Sequence, residues 1–363
     1  MPVLMDEFNI SLTSAGMLIS VFAITGFILA LPAGLILQRL GIKISGLIAT
    51  GFLVFGSVLG AFSASYALML FSRVIEGVGM GLMAVIAPAA IAMWFPPQKR
   101  GTPMGIWATW VPLGAGLMFF LAPRMATAFG WQAIWWFSVA CSLLAFGLVL
   151  IFLRMPPHLE ASRQAVGKSM RQEIVSLKPA LAKADIWLLG ATFGLFALAN
   201  VSINTYYPTF LSTIRNYSLN SASLITSLPM LGMLIFTPLA GIISDKIGSR
   251  KKLFTWPILA VAGLMFFPFQ VTGLLIPLLM LLSGVIGGAV PTAIFSATPE
   301  IMRKPEWAGL GMGVLSLGQN LGTILGPILF GYLAEGLGWI TAGIAVIPLL
   351  IAAFFIGRAV RVR

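Results

Sequence analysis

The chain has 363 residues, of which 59% are hydrophobic and only 9% charged, with a mean hydropathy of +1.01; that composition cannot cover a water-soluble surface. Its net charge of +12 comes from 22 Lys and Arg against 10 Asp and Glu. A single histidine, His158, and a single cysteine, Cys141, exclude the usual metal clusters, internal disulfides and Cys-His nucleophiles, and no glycine loop ending in Lys-Ser/Thr is present to cradle a nucleotide. A multi-pass membrane protein without enzymatic chemistry, cofactor or metal is expected.

Apolar stretches of roughly 20 residues can cross about 30 Å of hydrocarbon as a helix. In the first half they lie at 14–37, 43–63, 67–94, 102–123 and 132–153. The polar loop joining the first two contains Gly34, Gln38, Arg39, Gly41 and Lys43. In the third, Arg73 and Glu76 are three apart and share a helix face. A charge at membrane depth is costly and faces a protein interior or a wet cavity, so the pair either serves a substrate or proton pathway or braces neighbouring helices. Trp107 and Trp110 share a face of the fourth stretch with Gly114; they suit a cavity wall, and equally packing or a lipid interface. The fifth stretch carries no charge and belongs against lipid.

Residues 154–185 form a charged connection in which Val166, Met170, Ile174, Leu177 and Leu181 recur at helical spacing between Lys and Arg. This pattern predicts an amphipathic helix lying on the membrane surface. Six further stretches follow at 186–213, 220–243, 253–272, 274–298, 307–333 and 337–357. In the first of them Asn200, Asn204 and Tyr207 make one polar stripe, which suits a solute path or interhelical hydrogen bonding. Gln319 and Asn320, with Ser316 and Thr323, make a similar stripe in 307–333. A polar loop holding Gly241, Asp245, Lys246, Gly248 and Arg250 joins the second and third.

The two halves repeat one another. Gly34, Arg39, Gly41 and Lys43 recur 207 positions later as Gly241, Lys246, Gly248 and Arg250; Met104-Gly105, Gly114 and Gly130-Trp131 recur 208 later as Met312-Gly313, Gly322 and Gly338-Trp339. Such a period matches the duplicated halves of secondary transporters rather than a solenoid. The chain therefore divides into a bundle at 1–153, a linker at 154–185 and a six-helix bundle at 186–363. The offset places the counterpart of 186–213 before residue 1, so the first bundle is expected to lack its first helix, leaving 11 transmembrane helices here (5 and 6). Of the 22 cations, 19 fall in loops on one side, with Arg124 and Arg215 opposite and Arg73 inside a span. Positive residues are retained in the cytoplasm, which predicts a cell (inner) membrane protein with a cytoplasmic carboxyl terminus. Spread over short loops, the charge points to anionic lipid and not to nucleic acid as neighbour.

The segment Gly241-Ile-Ile-Ser-Asp245-Lys246-Ile-Gly248-Ser-Arg250 resembles the signature loop of the major facilitator superfamily, Gly-x-x-x-Asp-(Arg/Lys)-x-Gly-x-(Arg/Lys). Gly34 to Lys43 is a second copy, with Gln38 where the family's acid is usual. The resemblance implies an all-α membrane fold of two pseudo-symmetric bundles that rock about a midplane site, and assigns Gly34, Gln38, Arg39, Gly41, Lys43, Gly241, Asp245, Lys246, Gly248 and Arg250 to gating. The Arg73 segment resembles the family's Arg-x-x-x-Gly motif, which is linked to proton coupling or anionic substrates. Arg73, Glu76, Trp107, Trp110, Asn200, Asn204, Tyr207, Gln319 and Asn320 are accordingly the expected substrate or proton pathway. Gly-Trp and the Arg100–Ile106 segment resemble the cyanate and organic-anion branch. Expected is a monomeric secondary transporter of a small solute, an organic anion for preference, coupled to an ion gradient with the proton as the ion. Competing readings are a non-transporting sensor or truncated pseudo-transporter, and, from the partly matching Gly-Pro pattern at Val111–Gly116, drug or metabolite efflux.

Overall fold

The computed structural model describes residue 4 and residues 7–10, 12–156, 179–304 and 307–362; of the amphipathic helix expected over 166–181, residues 166–178 lie outside them. Among the described residues every regular element is helical. In lipid a backbone must satisfy its own hydrogen bonds, and long apolar runs without water therefore become helices. In chain order they are α1 (Leu12–Ala61), α2 (Tyr66–Trp94), α3 (Gly101–Ala108), α4 (Trp110–Phe129), α5 (Gln132–Phe152), α6 (Ala184–Thr213), α7 (Leu219–Ile247), α8 (Arg250–Leu264), α9 (Leu275–Gly287), α10 (Ala289–Met302), α11 (Ala308–Leu337) and α12 (Trp339–Ala359).

Eight described segments are long and apolar enough to cross a membrane. Three local features bend or interrupt the expected stretches. The stretches at 14–37 and 43–63 are the two helical arms of α1, which meet at a corner at Gly41 (φ 77°, ψ 171°). The stretch at 102–123 is interrupted at Thr109, whose N–H and hydroxyl both return to the Ile106 carbonyl. That at 253–272 holds only a 15-residue helix, α8, before turns take over.

The chain forms two compact units. The first comprises Met1–Trp94, Leu117–Ala182 and Lys304–Leu317. Within it α2 is wedged between the two arms of α1. Gly77 and Gly81, four apart, meet Thr25 and Gly26 of the first arm, while Gly79 on the opposite face meets Ala49 and Leu53 of the second. Helix α5 covers the second arm and leaves Leu144, Ile151 and Phe152 exposed, as a lipid-facing helix should.

The second unit comprises Phe95–Gly116, Lys183–Arg303 and Gly318–Arg363. Here α6 and α11 touch through backbone: a Cβ on Gly194 would come within 2.7 Å of the Gly318 carbonyl, and one on Gly326 within 2.6 Å of the Leu198 carbonyl. Small residues permit such approach where no hydrophobic drive exists between helices. Helix α7 packs on α3 and α9, and α12 on α6 and α8. Helix α7 starts with Ser218 accepting the Ser221 N–H and ends on Gly248 in the left-handed region.

Candidate functional site

The richest polar cluster sits where the end of α7 meets the start of α3. Gly101 and Gly241 lie backbone against backbone, and a side chain on Gly101 would fall 2.6 Å from the Gly241 carbonyl. This contact brings the next turn of α7, with Asp245, over the unsatisfied amides that begin α3. Asp245 Oδ1 accepts from the Gly101 N–H (2.8 Å), and Oδ2 from the Thr102 N–H and hydroxyl (both 2.9 Å). The carboxylate thus caps a helix that lacks a capping side chain of its own.

Arg250, buried, ties this cap to its surroundings. Its Nη2 donates to Asp245 Oδ1 (2.8 Å) and to the Pro97 carbonyl (2.7 Å), its Nη1 to Ser244 Oγ, and its Nε to Glu300 Oε1 (3.4 Å). Arg100, also buried, donates Nε to the Phe95 carbonyl (3.2 Å). Burial lowers the Arg100 pKa, opposed by Glu300 and reinforced by the like charge of Arg250. The signature loop marks Asp245 and Arg250; Glu300 and Ser244 carry no such mark, and Arg100 and Thr102 stand out in sequence only within the Arg100–Ile106 segment. Lys246 is exposed beside the cluster.

The equivalent loop in the first half shares the glycine geometry. Gly34 is packed on Gly309 and Leu310 at the start of α11, with a Cβ there only 2.8 Å from the Gly309 carbonyl. Gln38 is half-buried, Arg39 and Lys43 are exposed, and Gly41 makes the corner.

In the first unit Arg73 and Glu76 form an ion pair. Ser57 donates to Glu76 Oε1 (2.6 Å), and Ser138 on α5 is 2.9 Å from Ser57 Oγ. The Arg73 guanidinium lies 4.8 Å from the centre of the Trp135 ring. Gly56 and Gly60 clear the space: a Cβ on Gly56 would overlap Glu76, and one on Gly60 would overlap Trp135. The partners Ser57, Ser138 and Trp135 carry no sequence signal of their own, since a serine or tryptophan in an apolar run is common.

The remaining positions separate. Asn204 Nδ2 donates to the side-chain and backbone oxygens of Asn200 (2.8 and 2.9 Å), both residues half-buried. Tyr207, one turn on, is fully buried, gives its hydroxyl to the Pro268 carbonyl (2.8 Å) and packs on Phe210 and Phe269. Gln319 and Asn320 are half-buried on α11, beside the close approach to α6 at Gly318. Trp107 stands edge-on to Phe295 at 4.8 Å and 6.4 Å from Trp110, which is exposed.

The sequence matches the family model described as Major Facilitator Superfamily over residues 1–304 and again over 215–363. It is 25% identical over 355 residues to "Probable anion transporter 6" of Oryza sativa subsp. japonica, covering 91% of this chain and 82% of that protein. It is 23% identical over 355 residues to "Probable sulfoacetate transporter SauU" of Cupriavidus necator, covering 93% and 82%. Among solved structures it is similar in fold to the human organic anion transporter MFSD10 (TETRAN), with a TM-score of 0.78 at 21% identity over 94% of this chain and 83% of that one.

Proposed function

The chain belongs to the Major Facilitator Superfamily and is a multi-pass membrane transporter, and on that premise we propose that it carries a small organic anion by alternating access, coupled to protons through Glu76. The observation that carries this reading is the ion pair of half-buried Arg73 with buried Glu76. While Glu76 is ionised the pair is neutral as a whole. Protonating it leaves the Arg73 charge uncompensated at membrane depth, which is costly until another anion takes the carboxylate's place. A carboxylate or sulfonate from the substrate restores neutrality, so one proton and one monoanion enter together. Ser57 and the Trp135 face hold the pair in register for that exchange.

Within the second unit, Asn200, Asn204, Gln319 and Asn320 are assigned to the solute pathway, with Trp107 and Trp110 as aromatic surface and Tyr207 as support behind the stripe. The Asp245–Arg250 cluster is assigned to gating. Separating α3 from α7 exposes two amides, a carboxylate and a guanidinium at once, which makes the contact a latch with two discrete states. Names of relatives that span most of this chain favour an anion as cargo.

The test is uptake into proteoliposomes of small carboxylates and sulfonates, sulfoacetate among them, with and without an inward proton gradient. Wild type is expected to accelerate with the gradient and to show no net charge movement for a monoanion. Glu76→Gln, shown to be folded by its elution profile, is expected to lose the acceleration. Gradient-driven uptake that survives this substitution would refute the assignment of Glu76.

A further inference from the structure

At the end of the second unit remote from Asp245, a cavity of about 450 Å³ opens between the end of α6, the turn at Phe269 and the junction of α11 with α12. Nothing in the transport reading uses it. Arg215 is the single charged residue on its wall, and none of the lining residues is acidic. The guanidinium is held in place: Nη2 donates to the Phe269 and Gln270 carbonyls (both 3.2 Å), and the group lies 5.5 Å from the centre of the Phe210 ring. These partners are neutral, and the buried Nε has no hydrogen-bond acceptor among the described residues. A positive charge is thus fixed at an open cavity without a counter-charge in its lining.

The opposite wall adds to this polarity. Gly338 (φ 83°) precedes α12 without a capping side chain, and the first-turn residues Trp339, Ile340 and Thr341 line the cavity. Their amides have no acceptor within the helix. The rim is aliphatic, with Ile214 52%, Leu337 62% and Ile340 50% exposed at the ends of helices long and apolar enough to cross a membrane.

We propose that this cavity binds the headgroup of an anionic phospholipid, its phosphodiester on Arg215 and its acyl chains along Ile214, Leu337 and Ile340. Charge complementarity selects an anion, because a zwitterionic headgroup would bring a second cation to Arg215. The aliphatic rim selects a lipid over a soluble acid, since only a molecule with chains covers it.

Purified full-length protein in neutral detergent is titrated with dioctanoyl phosphatidylglycerol, dioctanoyl phosphatidylcholine, octanoate or inorganic phosphate, following the thermal unfolding midpoint and the lipid retained in native mass spectrometry. Phosphatidylglycerol is expected to raise the midpoint saturably with one tightly retained copy, and the other three to bind at least about ten-fold more weakly. Arg215→Gln is expected to remove the selective response. Thr341→Glu supplies a second variant that keeps the fold, because an acid is favourable in the first turn of a helix, yet it repels a phosphate there. An equal response to phosphatidylcholine, or retention of the response in either folded variant, would overturn the site. An equal response to octanoate or phosphate would overturn the lipid as its occupant.

Discussion

Asp245 accepts four hydrogen bonds on two oxygens, from Gly101, from Thr102 twice and from Arg250. A carboxylate can do this because it has acceptors only; asparagine would turn an NH2 toward a donor and surrender the charge. Asp245→Asn is therefore expected to destabilise the protein by about 2–3 kcal/mol. Lys246→Ala, at an exposed neighbour, should stay within about 0.5 kcal/mol. Equilibrium unfolding in mixed micelles measures both, and equal costs would contradict the role given to the cluster. The loop's own spacing made Asp245 and Arg250 legible. Thr102 was not, because it lies 143 residues from its partner and no local pattern encodes a contact at that range.

Among the elements, α11 carries an internal control. Gly322 abuts Gly194 and Leu198 of α6, whereas a Cβ on Gly336 meets nothing within 4 Å. Gly322→Ala is expected to cost about 1–3 kcal/mol through overpacking against backbone that cannot yield. Gly336→Ala should be neutral or stabilising by up to about 1 kcal/mol, from helix propensity alone. Chemical or thermal unfolding of the two variants side by side checks the contrast, and a harmless Gly322→Ala would remove the close approach of α6 and α11. Hydropathy located these helices because apolar length is a composition property. It did not reveal the corner at Gly41 or the interruption at Thr109, since neither changes composition and both are set by a few dihedral angles.

For the molecule as a whole, the duplication read from residue identity is also a duplication of backbone. Gly130 and Gly338 both have positive φ (82° and 83°) at the offset found in the sequence, and Gly41 and Gly248 share the sign of φ (77° and 67°) but not ψ (171° and 12°). The contact of Gly34 with Gly309 likewise repeats that of Gly241 with Gly101. What differs is the acid, and a substitution can restore it. Gln38→Asp would set a carboxylate near the start of α11, with an expected gain of about 0.3–1 kcal/mol from the helix dipole. If the latch assignment holds, initial uptake should slow as stability rises; faster uptake with no gain in stability would contradict it. The bundle fold and the loop pair were thus legible because repetition and composition are carried by the sequence itself. The buried surroundings of Glu76 depend on which helices become neighbours, and only the folded chain decides that.

Lys304–Leu317 belongs to the first compact unit, although it is synthesised after Phe95–Gly116 and Lys183–Arg303, the larger part of the second. Unit one therefore cannot be finished while the ribosome is still making the middle of the polypeptide. Membrane insertion of the early helices must yield a provisional assembly that waits for this late strip, and quality control of the nascent protein has a long interval in which to act on it.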